Sequence, residues 1–310
     1  MIDNAMKTLV EQAVVSARPL CGKGKVANYI PALAEVNPDK LGLAVALVDG
    51  SCQVAGDADE AFSIQSISKV FTLAIALEQV GDDLWDCVGR EPSGSAFNSI
   101  IQLESECGIP RNPLINAGAI AVSDRLIGGA SVDDTVARLL AFMRARAQSD
   151  DVLIDERVAS SEQETGERNR SLAYFMSAFG NLTQPVDVTL SVYFQQCALA
   201  MSCRQLAQAG LFLANGGVDP ASGERLVSAE RCRRINSVML TCGHYDNSGD
   251  FAFRVGLPGK SGVGGGILVV APGKGTLVAW SPGLNKAGTS YAGSAALEYF
   301  ASEAGWSVFD

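Results

Sequence analysis

Met6, Leu9, Val10, Ala13, Val14 and Ala17 recur at three- and four-residue steps near the start of the chain, the stripe of an amphipathic helix that lays one face on a core. Further on, LGLAVALV (41–48), the dipeptide Asp49-Gly50 and then SCQVAG read as a strand, a tight turn and a return strand, forming a β-hairpin. From Ser66 to Val80 the run SISKVFTLAIALEQV is apolar nearly all round and stops at Gly81, as a helix buried inside a protein would. Between about 97 and 245 the pattern is mostly helical, with segments near 115–127, 131–146, 167–179, 186–197, 202–215 and 228–241 separated by Gly, Pro and Asp/Asn. Strand character returns at DFAFRVGL, GILVVAP and GTLVAWSP, the last two joined by the turn Pro272-Gly273-Lys274-Gly275, and a helical stretch from about 288 to 303 closes the chain.

Strands near both termini thus flank a helical middle. The simplest arrangement joins the two terminal hairpins in one antiparallel sheet, covers a face of it with the first and last helices, and inserts the middle as a helical lobe. The expected fold class is α/β of the α+β kind: a single domain over 1–310, with an α/β lobe from about 1–65 and 246–310 and a helical lobe from about 66–245. With 310 residues, 47% of them hydrophobic and 19% charged, the chain can bury a large core without metal or disulfide staples.

Charge narrows the function. Lys plus Arg number 24 against 34 Asp plus Glu, and a net charge of −10 repels phosphate backbones and anionic membrane surfaces, so neither nucleic acid nor membrane is an expected partner. The start MIDNAMKTLVEQAVV carries Asp3 and Glu11 where a signal peptide needs a basic end and an apolar run, and no stretch of about 18 uninterrupted apolar residues occurs. A cytoplasmic protein is expected. Its eight cysteines contain no C-x-x-C pair and read as reduced, mostly buried thiols. The single histidine, His244, rules out a zinc site built on several imidazoles, and any Ser-His or Cys-His pair would have to use it.

Chemistry is suggested where the hairpin meets the buried helix. Ser66-Ile67-Ser68-Lys69 is an S-x-x-K, whose serine and lysine share a helix face, so that the amine can lie beside the hydroxyl. The apolar residues after Lys69 imply partial burial, which lowers an amine's pKa. A second candidate, GKSGVGGG (259–266), contains half of a phosphate loop, but the first glycine that loop requires is Arg254 here, and the sequence that follows is glycine-rich strand instead of helix. Lys-Ser-Gly opening a strand instead resembles the Lys-Thr-Gly element that accompanies S-x-x-K in serine acyl-transferring enzymes.

Through the blocks GKVANYIPALA, FSIQSISKV, GREPSGSAFNS, GIPRNPLINAGAI, SEQETGERNRSLA, VYFQQCAL, GHYDNSGDFAFRVGLPGKSGVGGGI and WSPGLNKAGTS, the chain resembles the serine-dependent glutaminases from about Gly22 to Leu297. These amidohydrolases have a fold like that of β-lactamases and penicillin-binding proteins. The resemblance implies hydrolysis of L-glutamine to L-glutamate and ammonia through a glutamyl ester of Ser66, with Lys69 as proton acceptor. It places Tyr29, Asn116, Glu162, Asn169, Tyr193, Tyr245 and Val263 with Ser66 around the substrate. Glu162 suits the ammonium, Asn116 and Asn169 can donate to the carboxylate, and the backbone N–H groups of Ser66 and Val263 would form the oxyanion hole. Tyr193 and Tyr245 can hold or relay protons, and Lys260 adds positive charge behind the hydroxyl. His244 has no assigned role and is expected to be structural or at the surface. No metal or organic cofactor is implied, and a homo-oligomer, dimer or tetramer, is expected. The rivals are a β-lactamase-like serine hydrolase or peptidase, which needs export to meet its substrate, and an inactive binding module, which would be expected to have lost a motif position.

Overall fold

A computed structural model describes residues 2–93 and 100–309. Its strands are Gly42–Leu47 (β1), Cys52–Gly56 (β2), Phe62–Ser63 (β3), Leu153–Ile154 (β4), Leu199–Met201 (β5), Gly259–Ser261 (β6), Gly266–Ala271 (β7) and Gly275–Trp280 (β8). Five of them form one antiparallel sheet in the order β2-β1-β8-β7-β6, so the hairpins from the two ends of the chain meet along β1 and β8, with Gly42 opposite Trp280 and Leu47 opposite Gly275. The other three form a small sheet, β3-β5-β4, which ties the segment before Ser66 to the helical region.

The apolar runs at β1, β7 and β8 do not alternate with polar residues because both faces of the sheet are covered. Leu43, Val45, Ile267, Val269, Leu277 and Ala279 pack beneath α1 (Ile2–Ala17) and α13 (Tyr291–Ala304). Ala44, Ala46, Leu268, Val270 and Val278 face the other way, toward α10 (Cys203–Ala214). That helix approaches closely because it presents Gly210, where a Cβ would stand 3.1 Å from Leu268 Cδ1, and it is tied to β8 by the Thr276 hydroxyl, which donates to Ala207 O at 2.6 Å.

The helices of the middle region follow the expected segments: α5 (Asn116–Ile127), α6 (Val132–Ala147), α8 (Glu167–Ala178), α9 (Val186–Cys197), α10 and α11 (Ala229–Cys242). Short helices α2 (Pro31–Ala34) and α4 (Ile100–Ser105) fill connections. At the centre stands α3 (Ser68–Val80), buried from Ser68 through Ala74.

Two readings of the pattern need correction. DFAFRVGL is not a strand but most of α12 (Ser248–Val255) and its end. Its apolar residues fall at every second position, yet within the helix the buried ones are Phe251 and Val255, one helical turn apart, while Phe253 between them is 89% exposed. An Asp250–Arg254 pair one turn apart at 3.6 Å and a left-handed Gly256 at the end favour the helix locally. A further helix, α7 (Glu156–Glu164), went unread because it is short and mostly polar, with Val158, Ala159 and Glu162 its buried residues. The Asp155 carboxylate starts it by accepting from the N–H groups of Arg157 and Val158.

Candidate active site

The chain leaves β3 and enters α3 through a single 3-10 turn, Gln65–Ile67. Gln65 has φ +50°, a left-handed conformation that a residue with a Cβ rarely adopts. The turn is held by its own side chains: the Gln65 amide donates to Ser63 Oγ at 3.0 Å, and the Ser63 hydroxyl donates to Cys197 O at 3.0 Å. Gln65 also hydrogen-bonds the Glu162 carboxylate. Ser66 is thereby fixed at the wall of a cavity of about 340 Å³, at the small end of the range for ligand sites and suited to a free amino acid.

At the second residue of α3, Lys69 is 1% exposed and donates to Asn116 Oδ1 at 2.7 Å and Leu114 O at 3.4 Å. Asn116 in turn donates to Asn169 Oδ1 at 3.0 Å. Burial lowers the Lys69 pKa to about 8, although Cys197 and Glu162 nearby oppose the shift. Tyr245 hydrogen-bonds the Ser66 side chain and sits with φ +54° at the start of a second 3-10 turn, Tyr245–Asn247. The ammonium nitrogens of Lys69 and Lys260 lie 5.9 and 4.2 Å from the centre of its ring. Burial raises the pKa of both Tyr245 and Tyr193, so each hydroxyl keeps its proton at neutral pH. Glu162 is 7% exposed, and burial raises its pKa to about 7 against the opposing pull of Gln65 and Lys69.

The glycines after Lys260 explain how Val263 reaches this place. A Cβ on Gly262 would lie 2.5 Å from Ile64 O, and one on Gly264 would lie 2.2 Å from Ser63 O. Residues 262–264 therefore press backbone to backbone on the segment leading into Ser66.

All eight residues expected around the substrate, Tyr29, Ser66, Asn116, Glu162, Asn169, Tyr193, Tyr245 and Val263, line this one cavity. Tyr29 stands at its mouth, half exposed, in a loop that Lys25 pins to Leu284 by paired backbone hydrogen bonds. Lys69 and Lys260 are not among the lining residues. The Lys260 ammonium is spent on Gly243 O at 3.0 Å and Ser261 O at 2.6 Å, so it supports Tyr245 instead of standing directly behind the serine. His244 is fully buried and stacked on Phe251 with ring centres 3.7 Å apart, and desolvation, together with the charge of Lys260, holds its pKa well below the ordinary value. It too lies off the cavity wall.

Five further residues line the cavity, Ile30, Thr165, Gln65, Arg168 and Cys197, and the last three bring chemistry that the residue pattern did not single out. Each of these three had a local signal. Gln65 is a polar side chain beside Ser66 in an apolar run, Arg168 precedes Asn169, and Cys197 follows Tyr193 by one helical turn. The Cys197 thiol, hydrogen-bonded with Tyr193, has its pKa pushed up to about 12 by burial and stays neutral.

The chain is similar to known proteins over nearly its whole length. The family model for Glutaminase matches residues 24–309. The chain belongs to the glutaminase family. A glutaminase of Rhizobium johnstonii is 59% identical over 304 residues, covering 98% of each chain. Among solved structures, a Bacillus glutaminase crystallised in 4.3 M NaCl is 35% identical with a TM-score of 0.89, covering 98% of this chain and all of the other. The Bacillus subtilis glutaminase YbgJ in covalent complex with 5-oxo-L-norleucine is 34% identical with a TM-score of 0.88, covering 98% and 99%. The fold is the β-lactamase-like one of these glutaminases, a mixed α/β arrangement around an antiparallel sheet. Of the family blocks, GREPSGSAFNS lies partly outside the described residues, at 94–99. Among the described residues no cluster of His, Cys, Asp and Glu could hold a metal ion, and no helix is long and apolar enough to cross a membrane.

Proposed function

We propose that this glutaminase hydrolyses L-glutamine to L-glutamate and ammonia by covalent catalysis at Ser66. The observation that supports the reading is the hydrogen bond between the Ser66 and Tyr245 side chains, with the buried amine of Lys69, its pKa lowered to about 8, three residues on at the start of α3. Ser66 Oγ attacks the carboxamide carbon while its proton passes to neutral Lys69, directly or across the Tyr245 hydroxyl. The carbonyl oxygen becomes an oxyanion received by the N–H groups of Ser66 and Val263. The proton returns to the departing nitrogen, ammonia leaves, and Ser66 is left as a glutamyl ester. Water then attacks that ester and gives its proton to Lys69, which passes it to Ser66 Oγ as the ester bond breaks, so that glutamate departs with the serine hydroxyl and the neutral lysine restored.

Substrate recognition follows from charge. Glutamine carries an ammonium, which we place against Glu162, and a carboxylate, which we place against the amides of Asn116 and Asn169 with Arg168 supplying a cation at the wall. Tyr193 packs against the reacting end, its ring 5.8 Å from the Lys69 ammonium, and Tyr29 closes the mouth. A reducing, cytoplasmic setting suits eight cysteines that are all free. Self-association into a dimer or tetramer suits the large apolar side chains left in water, Val15, Ile101 and Phe253 among them.

The deciding experiment is labelling with 6-diazo-5-oxo-L-norleucine, the compound that formed the covalent complex of the Bacillus subtilis protein. One adduct per chain on Ser66, slowed by glutamate and absent in Ser66→Ala, is expected alongside equal release of ammonia and glutamate from glutamine. An adduct elsewhere, or turnover by Ser66→Ala, would refute the covalent reading.

A further inference from the structure

Tyr29, Tyr245 and Val263 line two spaces: the active cavity, and an open groove of about 1020 Å³ outside it. Which residues are shared shows where the two meet. Tyr245 is hydrogen-bonded to Ser66, and the Val263 N–H is assigned to the oxyanion, so both stand at the bond that breaks. Glu162, Asn116, Asn169 and Arg168, assigned to the two charged groups of the amino acid, do not line the groove. The groove therefore leaves the cavity at its reacting end.

Tyr29 is the partition between them. It is 55% exposed, yet burial, and then the nearness of Tyr245 and Glu162, raise the pKa of its hydroxyl. The hydroxyl thus lies with the reacting groups while the ring faces outward, and a chain attached to the carboxamide nitrogen would pass beside it.

The groove is preformed. Its floor is the pair of backbone hydrogen bonds between Lys25 and Leu284, at 3.0 and 2.9 Å. Its far wall is the turn at 285–288, closed by Asn285 N–H on Thr289 O at 2.8 Å and by Asn285 Oδ1, which accepts from the N–H groups of Ala287 and Thr289 at 2.9 and 3.1 Å. Tyr291, 43% exposed at the start of α13, adds a second ring to that of Tyr29. Lys25 and Lys286 against the single carboxylate of Asp246 make the groove positive on a chain of net charge −10. Among the described residues the lysine ion pairs are those of Lys40, so both of these cations are left for a ligand. Ammonia, the leaving group of glutamine, is one nitrogen and uses none of this space. An amino acid in its place would use it.

We propose that Ser66 also hydrolyses γ-glutamyl peptides whose leaving group is an amino acid with an apolar or aromatic side chain. The glutamyl half occupies the cavity, the side chain of the second residue lies against the rings of Tyr29 and Tyr291, and its carboxylate is turned toward Lys286. The inference rests on the covalent reading of Ser66. Ser66 Oγ bonds to the γ-carbonyl carbon, the C–N bond breaks, and the proton taken from the serine goes to the nitrogen of the departing amino acid. Water then releases glutamate from the ester as it does after glutamine.

The test gives the full-length protein glutamine, γ-L-glutamyl-L-phenylalanine, and the dipeptide's C-terminal amide, which lacks the carboxylate, and follows glutamate release from each. The dipeptide should be hydrolysed with kcat/KM within about a hundredfold of glutamine. Lys286→Glu should lower that value about fivefold, the effect of reversing one rim charge, and leave turnover of the amide and of glutamine unchanged. Ala287→Trp, which fills the groove, should abolish hydrolysis of both peptides while keeping kcat and KM for glutamine, proof that it folds. Dipeptide turnover below that hundredfold limit, or undiminished in Ala287→Trp, would overturn the proposal and leave glutamine hydrolysis at Ser66 standing. Equal losses on the dipeptide and its amide in Lys286→Glu would overturn the placement of the carboxylate. Dipeptide hydrolysis that persists in Ser66→Ala would bring down the proposal together with the covalent reading beneath it.

Discussion

Replacing Glu162 by Gln removes one charge from the cavity while keeping the side chain's size and its ability to hydrogen-bond Gln65. In the empty site the carboxyl titrates near pH 7 instead of the ordinary 4.5, because burial penalises its anion. A bound ammonium relieves that penalty. If it does no more than restore the ordinary pKa, the coupling between the two charges is about 2.5 pKa units, or about 3.4 kcal/mol at 1.36 kcal/mol per unit. Above pH 8, Glu162→Gln should therefore lose roughly 300-fold in kcat/KM, carried mostly by KM, because the ammonium is held equally in the ground and transition states. The sign with pH follows from the same shift. Below pH 7 the wild-type carboxyl is already neutral, so kcat/KM should rise through pH 7 in the wild type, and that limb should vanish in the variant, leaving the one near pH 8 that belongs to Lys69. Steady-state kinetics from pH 6 to 9.5 would measure both. A variant within threefold of wild type at pH 8.5, or one that keeps the limb near pH 7, would refute the placement of the ammonium.

The same carboxyl should reveal itself in stability. Its folded pKa lies above its unfolded one, so the favourable neutral form is fully present below about pH 4.5 and lost as pH rises through 7, and Glu162→Gln should raise Tm at pH 8 but not at pH 4.5 in a calorimetric scan. For the proton acceptor, Lys69→Ala should cost several orders of magnitude in kcat while His244→Asn leaves the alkaline limb in place; collapse of the histidine variant with an active lysine variant would reverse the assignment. Arg168→Gln should raise KM for glutamine about tenfold with kcat little changed, an order of magnitude for one charge-assisted hydrogen bond, and should narrow the preference for glutamine over its α-amide; an unchanged preference would place Arg168 outside substrate recognition.

The Ser66–Lys69 spacing was legible from the residues alone because it is local: three positions are about one turn of the 3-10 segment and helix that carry them, whatever the rest of the chain does. The terminal hairpins were legible for a similar reason, since long apolar runs bounded by Asp-Gly and Pro-Gly turns have few other uses. Glu162 could not be found this way. It sits on a nine-residue polar helix beside Glu164, where nothing but tertiary packing distinguishes a buried carboxylate from a solvated one, and it entered only through likeness to a family. DFAFRVGL failed for another reason, because residues two apart and four apart fit a strand and a helix alike, and a surface ion pair and a glycine cap decided between them. The left-handed Gln65 left no trace in its residue type at all.

Among the described residues, four other than glycine hold a positive φ: Gln65, Cys107, Gln148 and Tyr245. Cys107 and Gln148 follow the ends of α4 and α6, where such a conformation is the usual way to stop a helix. Gln65 and Tyr245 end no helix; one precedes the Ser66 hydroxyl in sequence and the other is hydrogen-bonded to it. Each such residue costs on the order of 1 kcal/mol or more that its surroundings must offset. A search for variants that merely survive heat would thus be drawn to these two positions, where glycine relaxes the chain, and would recover sturdier proteins that have lost their chemistry. The hardest part of this enzyme to keep in a lineage is also the part that selection for durability alone would discard first.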